Sequence, residues 1–415
     1  MTTPPGSQAS SFDFHAYLLD LTGAEWDIEE LSGGNANHVV RATQVGRKER
    51  DDATTAAHDL LRHHSVVLKQ APPYFAKFPD FQFSQRRQTI EARALRLLHG
   101  GDSVSDSLRD LLGNVEVPQL VHHDEGDHVL IQSDLGAHPT LNEFLSSTST
   151  TSARAASAGK SLGKFLGSIH AFSPDPTLAK TFINEDGENV MYTVIENVSG
   201  FLRDAGAPDY ASLAKIALEH WKARKRTAFS QGDIWFGTVL VDDNPESSLD
   251  DGQRGTLDDG QQTAPAVKIC DWEFAGPNDP AADIAQLGAY LHLSTLSTLE
   301  SAPQPSIVHA FASALYGSYL SALLSSRSDT SRQEFQRSLL IMHGWELVNA
   351  AAWRHELWCR CSGTGVKCQH IADMVLQGAR LLRAAGHPGG GVDWKAVRAV
   401  SWFSAAAHAG IFEQP

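Results

Sequence analysis

Apolar residues recur at helical spacing over residues 12–21, which predicts a short amphipathic helix. Two strands are expected next, at 26–31 and 38–42, around the polar turn Ser32-Gly33-Gly34-Asn35-Ala36-Asn37. Residues 46–64 are charged and rich in Ala and Thr, and read as a decorated connection between strands. Ser65-Val66-Val67-Leu68-Lys69 is a β-branched run that ends in a lysine. Residues 82–99 place Ile90, Ala94, Leu97 and Leu98 on one helical face, and 117–121 and 128–131 predict two more strands. Beyond 132 the pattern is mostly helical, over 153–172, 210–226, 283–293, 305–325, 332–359 and 370–385. Short strands interrupt it within 229–241 and at 267–271. The expected class is therefore α+β: a small lobe built on an antiparallel sheet over 12–132, then a larger, mainly helical lobe over 133–386. A flexible N-terminus at 1–11, a tail at 387–415 and a mobile insertion at 242–265, rich in Asp, Gly, Gln and Ser, complete the expected layout.

Composition narrows what such a chain does. Its 415 residues hold 34 Lys+Arg against 49 Asp+Glu, a formal charge of −15. That excess argues against a general nucleic-acid binder and against a polybasic membrane-surface protein. An anionic substrate would need a local basic pocket or a metal ion. The first ten residues lack an apolar signal region, and the uncharged stretch 307–324 carries three Ser, a Gly and a His, so it reads as a buried helix. A cytoplasmic location is expected. Four cysteines are too few for a disulfide framework. Cys359, Cys361, Cys368 and His370 are close enough to hold zinc, yet their spacing matches no common zinc pattern, and a helix end and loop in a reducing compartment is the plainer reading.

Three clusters carry candidate chemistry. Ser32, Gly33, Gly34 and Asn35 lie between two strands, where glycines let a backbone approach a phosphate, although a plain hairpin turn uses the same residues. Lys69 ends a buried strand and Glu91 sits on the next helix; such a lysine holds nucleotide phosphates while the carboxylate orients it. The third cluster is Gln231-Gly232-Asp233, followed by Thr238, with Asp271-Trp272-Glu273 after the insertion. Asp233 is placed to accept a hydroxyl proton. Asp271 and Glu273, if extended, point to one side and can hold Mg²⁺. Thr238 offers a hydroxyl to the metal or the nucleotide.

The run Gln231-Gly232-Asp233…Thr238 with Asp271-Trp272-Glu273-Phe274-Ala275-Gly276-Pro277 resembles the catalytic and metal loops of the aminoglycoside phosphotransferase/choline kinase-like superfamily. Asp279-Pro280-Ala281-Ala282-Asp283 is similar to that family's Asp-rich helix start, whose last Asp braces the catalytic loop. Val67-Leu68-Lys69-Gln70-Ala71-Pro72-Pro73-Tyr74 looks most like its 5-methylthioribose kinase branch. The resemblance implies a bilobal, protein-kinase-like fold that uses ATP and Mg²⁺. It implies Asp233 as catalytic base, Asp271 as chief metal ligand with Glu273, and Lys69 with Glu91 on the phosphates. It further implies Ser32 to Asn35 over the phosphates, and Gln132, Ser133 and Asp134 as the hinge that meets adenine. Gln231 stands where the family usually has His, and Thr238 where it has a metal-binding Asn.

The expected activity is phosphorylation of a hydroxyl on a small molecule; a kinase-fold nucleotide binder with little or no turnover is the alternative. No nucleic-acid or membrane partner is expected, and the chain is expected as a monomer or homodimer. The acceptor pocket is expected around Trp235 and the helix carrying His343, Trp345, Trp353, Arg354 and His355.

Overall fold

The computed structural model describes residues 12–32, 34–46, 55–100, 112–243, 264–323, 329–360, 365–386, 391–400 and 402–403. Gly33, Cys361, the N-terminus at 1–11, most of the insertion at 242–265 and most of the tail lie outside the described residues. The chain divides into two compact units: 1–92 with 118–134, and 93–117 with 135–415.

The smaller unit opens with α1 (Phe14–Thr22), whose first turn is capped by the Asp13 carboxylate accepting from the Ala16 amide. Strands β1 (Trp26–Glu30) and β2 (His38–Gln44) follow, then helix α2 (Thr55–Leu61) and strand β3 (Ser65–Gln70). A hairpin of β4 (Tyr74–Phe75) and β5 (Phe78–Gln82) leads to α3 (Arg86–His99). After β6 (Val115–Glu116), which counts with the larger unit, come β7 (Leu120–Asp124) and β8 (Val129–Ser133). The sheet runs β1-β2-β3-β8-β7 and every neighbouring pair is antiparallel. Alternation along β3 sends Val66 and Leu68 into a core with Leu18, Trp26, Val40 and Ile131. The same period of two turns Lys69 to the opposite face. Two expectations change here. The charged stretch before β3 contains a helix, α2, and the predicted helix at 82–99 starts only at Arg86, because 78–82 pair as a strand with β4.

Arg87 organises the corner of this unit. Its guanidinium is fully buried and donates to the carbonyls of Ala36, Pro72, Phe83 and Ser84 and to the Asn37 side chain. A planar five-donor fork can satisfy that many backbone acceptors at once, which a lysine cannot. It fixes the end of the polar turn between β1 and β2.

The larger unit begins with α4 (Leu141–Ser146), closed by a capping box between Thr140 and Glu143. Helices α5 (Ser152–Ala171), α6 (Pro176–Thr181), α7 (Glu185–Asp204) and α8 (Tyr210–Ala223) follow. Four short strands come next, β9 (Ala228–Ser230), β10 (Val239–Asp242), β11 (Ala266–Ile269) and β12 (Gly276–Asn278). Then come α9 (Ala281–Leu296), α10 (Pro305–Leu323), α11 (Asp329–Trp353), α12 (Gln369–Ala385) and α13 (Trp394–Arg398). β10 pairs antiparallel with β11, β11 parallel with β6, and β12 antiparallel with β9. α7 has no counterpart among the expected helices, although Ile195, Val198 and Leu202 recur on its buried side. No helix among the described residues is long and apolar enough to cross a membrane.

α5 and α10 approach each other through small residues. A Cβ at Gly159, Gly163 or Gly167 would lie 2.3, 2.1 or 2.5 Å from the carbonyl oxygen of Phe311, Leu315 or Tyr319. Backbone lies against backbone along this stripe, so a methyl group cannot be absorbed by a rotamer change. Gly163→Ala is therefore expected to lower unfolding stability by about 1–3 kcal/mol, read as a lower urea midpoint at unchanged slope; Gly200→Ala, with open space around it, is the control that should not do so.

Candidate active site

β9 ends at Ser230, and the chain enters a turn over 231–238 before β10. Two consecutive amides of that turn point at one carboxylate. Asp283, in the first turn of α9, accepts from the Gln231 amide at 2.8 Å and from the Gly232 amide at 3.0 Å. Its Oδ2 also meets His170 Nε2, at the end of α5, at 3.0 Å. The other ring nitrogen of His170 lies 2.9 Å from the Tyr319 hydroxyl, which donates to the Pro280 carbonyl. A carboxylate at a helix N-terminus is also favoured by the helix dipole. Gly232 is required twice over: its φ is 93°, and a Cβ would stand 2.2 Å from the Phe274 carbonyl oxygen.

Gln231 joins the two loops. Its Oε1 accepts from the Asp233 amide, and its Nε2 donates to the carbonyls of Cys270 and Asp271. A single amide thus ties the Asp233 turn to the backbone ahead of Trp272. Thr238 closes the same turn: its hydroxyl accepts from the Trp235 amide and donates back to the Trp235 and Asp233 carbonyls. Sequence reasoning put this hydroxyl on a metal or nucleotide; in the structure it is engaged by the loop.

The Asp233 carboxylate accepts from Gln286 Nε2 at 2.6 Å. Removal from water pushes Asp233 up to about 6; Asp271 and Asp283 nearby add to that, while Gln286 and Arg354 oppose it. Asp271 follows β11 with φ 65°, a left-handed conformation that aspartate tolerates better than most residues. The expected extended Asp-x-Glu pair is therefore not found. The backbone turns at Asp271, and a turn continues from Trp272 to Ala275, closed by the Ala275 amide on the Trp272 carbonyl. Trp272 is fully buried, edge-on to Phe165. Glu273 is buried beside it, its carbonyl accepting from Asn184.

Of the residues expected to form the acceptor pocket, three lie at or beside the Asp233 turn. Arg354 places its guanidinium 4.5 Å from the centre of the Trp235 ring, and Trp235 packs against Tyr290. Trp345 packs edge-on to Trp221 and lines a small cavity with Gly232 and Gln286, beside the Asp233 turn. His343 is fully buried against His292, with burial pushing it down to about 3, and Trp353 is exposed. Sequence reasoning missed Gln286 and His170. Gln286 stands one helical turn after Asp283, so helical spacing could have found it; His170 is 113 positions away from Asp283, and no local signal marks it.

In the smaller unit, Lys69 Nζ sits 2.8 Å from both oxygens of Glu91, with both side chains buried. Ser32 and Gly34 are exposed, and a Cβ on Gly34 would meet nothing within 4 Å, so the fold itself does not demand glycine there. Gln132 and Ser133 end β8, paired with Val67 and Val66. The Asp134 carboxylate accepts from Arg41 and from the Ser65 hydroxyl. Cys359 and Cys368 stand with sulfurs 3.7 Å apart, and no group of three His, Cys, Asp or Glu side chains able to hold a metal occurs among the described residues.

The chain resembles small-molecule kinases. It is 24% identical over 275 residues to a 4-hydroxytryptamine kinase of Psilocybe cyanescens, covering 64% of this chain and 67% of that one. It is 24% identical over 190 residues to a 4-hydroxytryptamine kinase of Psilocybe cubensis, covering 43% of this chain and half of that one. These two likenesses do not confirm the 5-methylthioribose kinase branch. Solved structures similar to this one include choline kinase of Cryptosporidium parvum (11% identity, TM-score 0.44, 91% of this chain and 93% of that one). Another is the gentamicin complex of the aminoglycoside phosphotransferase APH(2")-IIa (11% identity, TM-score 0.44, 90% and 96%). Likenesses this loose say nothing about substrate. No protein-family model matches the chain.

Asp283→Ala removes the acceptor from two buried amides and from His170, and is expected to cost about 2–5 kcal/mol of unfolding stability. Asp283→Asn, which keeps one acceptor oxygen, is expected to cost less; urea titrations of the two variants give the comparison.

Proposed function

We propose that the chain is an ATP-dependent phosphotransferase that moves the γ-phosphoryl group onto a hydroxyl of a small molecule. The observation that carries this reading is Asp233, a carboxylate on a turn braced by Asp283, Gln231 and Gln286, with Asp271 on the adjoining loop. The buried Lys69–Glu91 pair and the likeness to two kinases support it independently.

Mg²⁺ fits the residues present. Asp271 and Glu273 offer hard oxygen donors, and a site of one or two carboxylates completed by substrate phosphates is how Mg²⁺ is usually held. When bound, the ion would neutralise phosphate charge. The chain's own residues do the rest. Asp233 takes the proton from the acceptor hydroxyl as its oxygen bonds to the γ-phosphorus, and the bond to the ADP oxygen breaks. Gln286 fixes one Asp233 oxygen and leaves the other for that proton. Lys69, aimed by Glu91, would pair with the α- and β-phosphates, and the turn at Ser32, Gly34 and Asn35 would approach them through backbone amides. Residues 132–134 would present backbone to adenine, since the Asp134 side chain is already engaged. The hydroxyl acceptors named for the relatives make a hydroxylated aromatic amine the first compound to assay. A chain that binds ATP without turnover is the second reading, favoured by the engagement of the Thr238 hydroxyl within its own loop.

With 4-hydroxytryptamine, ATP and Mg²⁺, wild type is expected to consume ATP with one phosphorylated product per ADP. Asp233→Asn and Asp271→Asn are each expected to lower kcat at least about 10²-fold while the thermal melt stays cooperative. Turnover at the wild-type rate by Asp233→Asn would sink the mechanism. Because a base must be ionised, activity is present above the Asp233 pKa and lost below it. The acidic limb of kcat/KM should fall about tenfold per pH unit below about 6.

A further inference from the structure

Cys359 and Cys368 are nine positions apart in sequence, and their sulfurs stand in contact at 3.7 Å. Both residues are partly exposed. Cys368 is the N-cap residue of α12, where the positive end of a helix favours a thiolate. Between residues 354 and 370, Arg354, Arg360 and Lys367 stand against a single acid, Glu356, in a chain that is otherwise acidic. Partly exposed thiols in positive surroundings are the reactive kind. No group of metal ligands forms around them among the described residues, so reaction with each other is the chemistry left to this pair.

The two cysteines stand on supports of different stiffness. α12 lies against α11 so closely that a Cβ on Gly378 would be 2.5 Å from the Gly344 carbonyl oxygen, so Cys368 opens a firmly seated helix. Cys359 ends a single 3₁₀ turn at His355–Leu357, its amide donating to the His355 carbonyl. That short turn carries two contacts to the candidate site. At its start, Arg354 lies over the Trp235 ring. At its end, the buried Trp358 packs edge-on to Phe236 of the Asp233 turn and to Tyr290 of α9. The Trp358 carbonyl accepts from the Thr298 amide and the Ser297 hydroxyl just after α9. Whatever fastens Cys359 therefore also fastens the stretch that walls the Asp233 turn.

We propose that Cys359 and Cys368 are a redox-active dithiol, which a peroxide oxidises to a disulfide that fastens the Arg354–Trp358 stretch to the start of α12. One thiolate attacks a peroxide oxygen, and the O–O bond breaks to leave a sulfenic acid and hydroxide. The second thiolate then attacks that sulfur, forming the S–S bond and releasing a second hydroxide. In sum the two thiols lose two electrons and two protons, and hydrogen peroxide becomes two waters. A dithiol reductant reverses the bond by exchange. The inference does not depend on the kinase reading, because it concerns the fastening of the stretch and not what the site transfers.

The test treats the reduced full chain with a small excess of hydrogen peroxide, blocks the remaining thiols by alkylation and maps the peptides by mass spectrometry. Wild type is expected to lose two thiols to a cross-link between Cys359 and Cys368, and dithiothreitol should restore both. Cys359→Ser and Cys368→Ser should each lack the cross-link, whereas Cys361→Ser should still form it. Amide hydrogen exchange over 354–359 is expected to slow by about tenfold in the oxidised chain, with exchange over α5 unchanged. A cross-link made through Cys361 or Cys270, or oxidation to sulfinic acid with no cross-link, overturns the proposal. So does a Cys359–Cys368 bond that leaves exchange over 354–359 as it was, since that bond would fasten nothing. The map and the exchange rates are measured on wild type and hold even where a variant fails to fold.

Discussion

The larger unit depends on one carboxylate. Asp283 gathers two successive backbone amides and a histidine, and each bond removes a freedom the Asp233 turn would otherwise have. With both amides directed at Asp283, the chain must pass through Gly232 in a left-handed conformation, against the Phe274 carbonyl. Asp233 then emerges where Gln286, one turn further along α9, reaches its oxygen. The same helix therefore holds both the backbone of the turn and the Asp233 side chain, so the two cannot drift apart.

That helix is positioned in turn by a packing constraint. Gly159, Gly163 and Gly167 let α5 lie directly against the backbone of α10, and the stripe ends opposite Tyr319. One turn after Gly167, His170 reaches the Tyr319 hydroxyl on one side and Asp283 on the other, while Tyr319 donates to Pro280 at the start of α9. Small residues far from the chemistry thus set the distance at which a histidine can bridge two helices.

What was legible in the chain was what local spacing encodes. Lys69 is found next to the end of its strand, where a β-branched run with period two puts alternate residues on opposite faces, whereas Asp283 was legible only through the resemblance of its run to a family's Asp-rich helix start. The ability of Gln231 to stand where histidine is usual follows from an amide both donating and accepting, and it does both. The geometry of Asp271 was not legible: two carboxylates two residues apart suggest an extended pair, whereas the left-handed turn there answers to the burial of Trp272, which spacing does not reveal. His170 was invisible for a simpler reason. It acts across more than a hundred positions of sequence, on a helix whose other residues read as ordinary core.

The charge of the molecule acquires a mechanism from this arrangement. In the smaller unit the positive charge of Lys69 is already matched by both oxygens of Glu91, so the pair orients an ammonium without offering net positive charge. In the larger unit Asp271 and Asp283 add to the cost of ionising Asp233, and Arg354 is the cation that opposes them there. On the reading proposed above, a divalent cation would supply the attraction for a nucleotide, and its arrival would lower the cost of keeping Asp233 ionised. Under that proposal an acidic chain handles phosphate consistently: its carboxylates would recruit the cation, and the cation the phosphate.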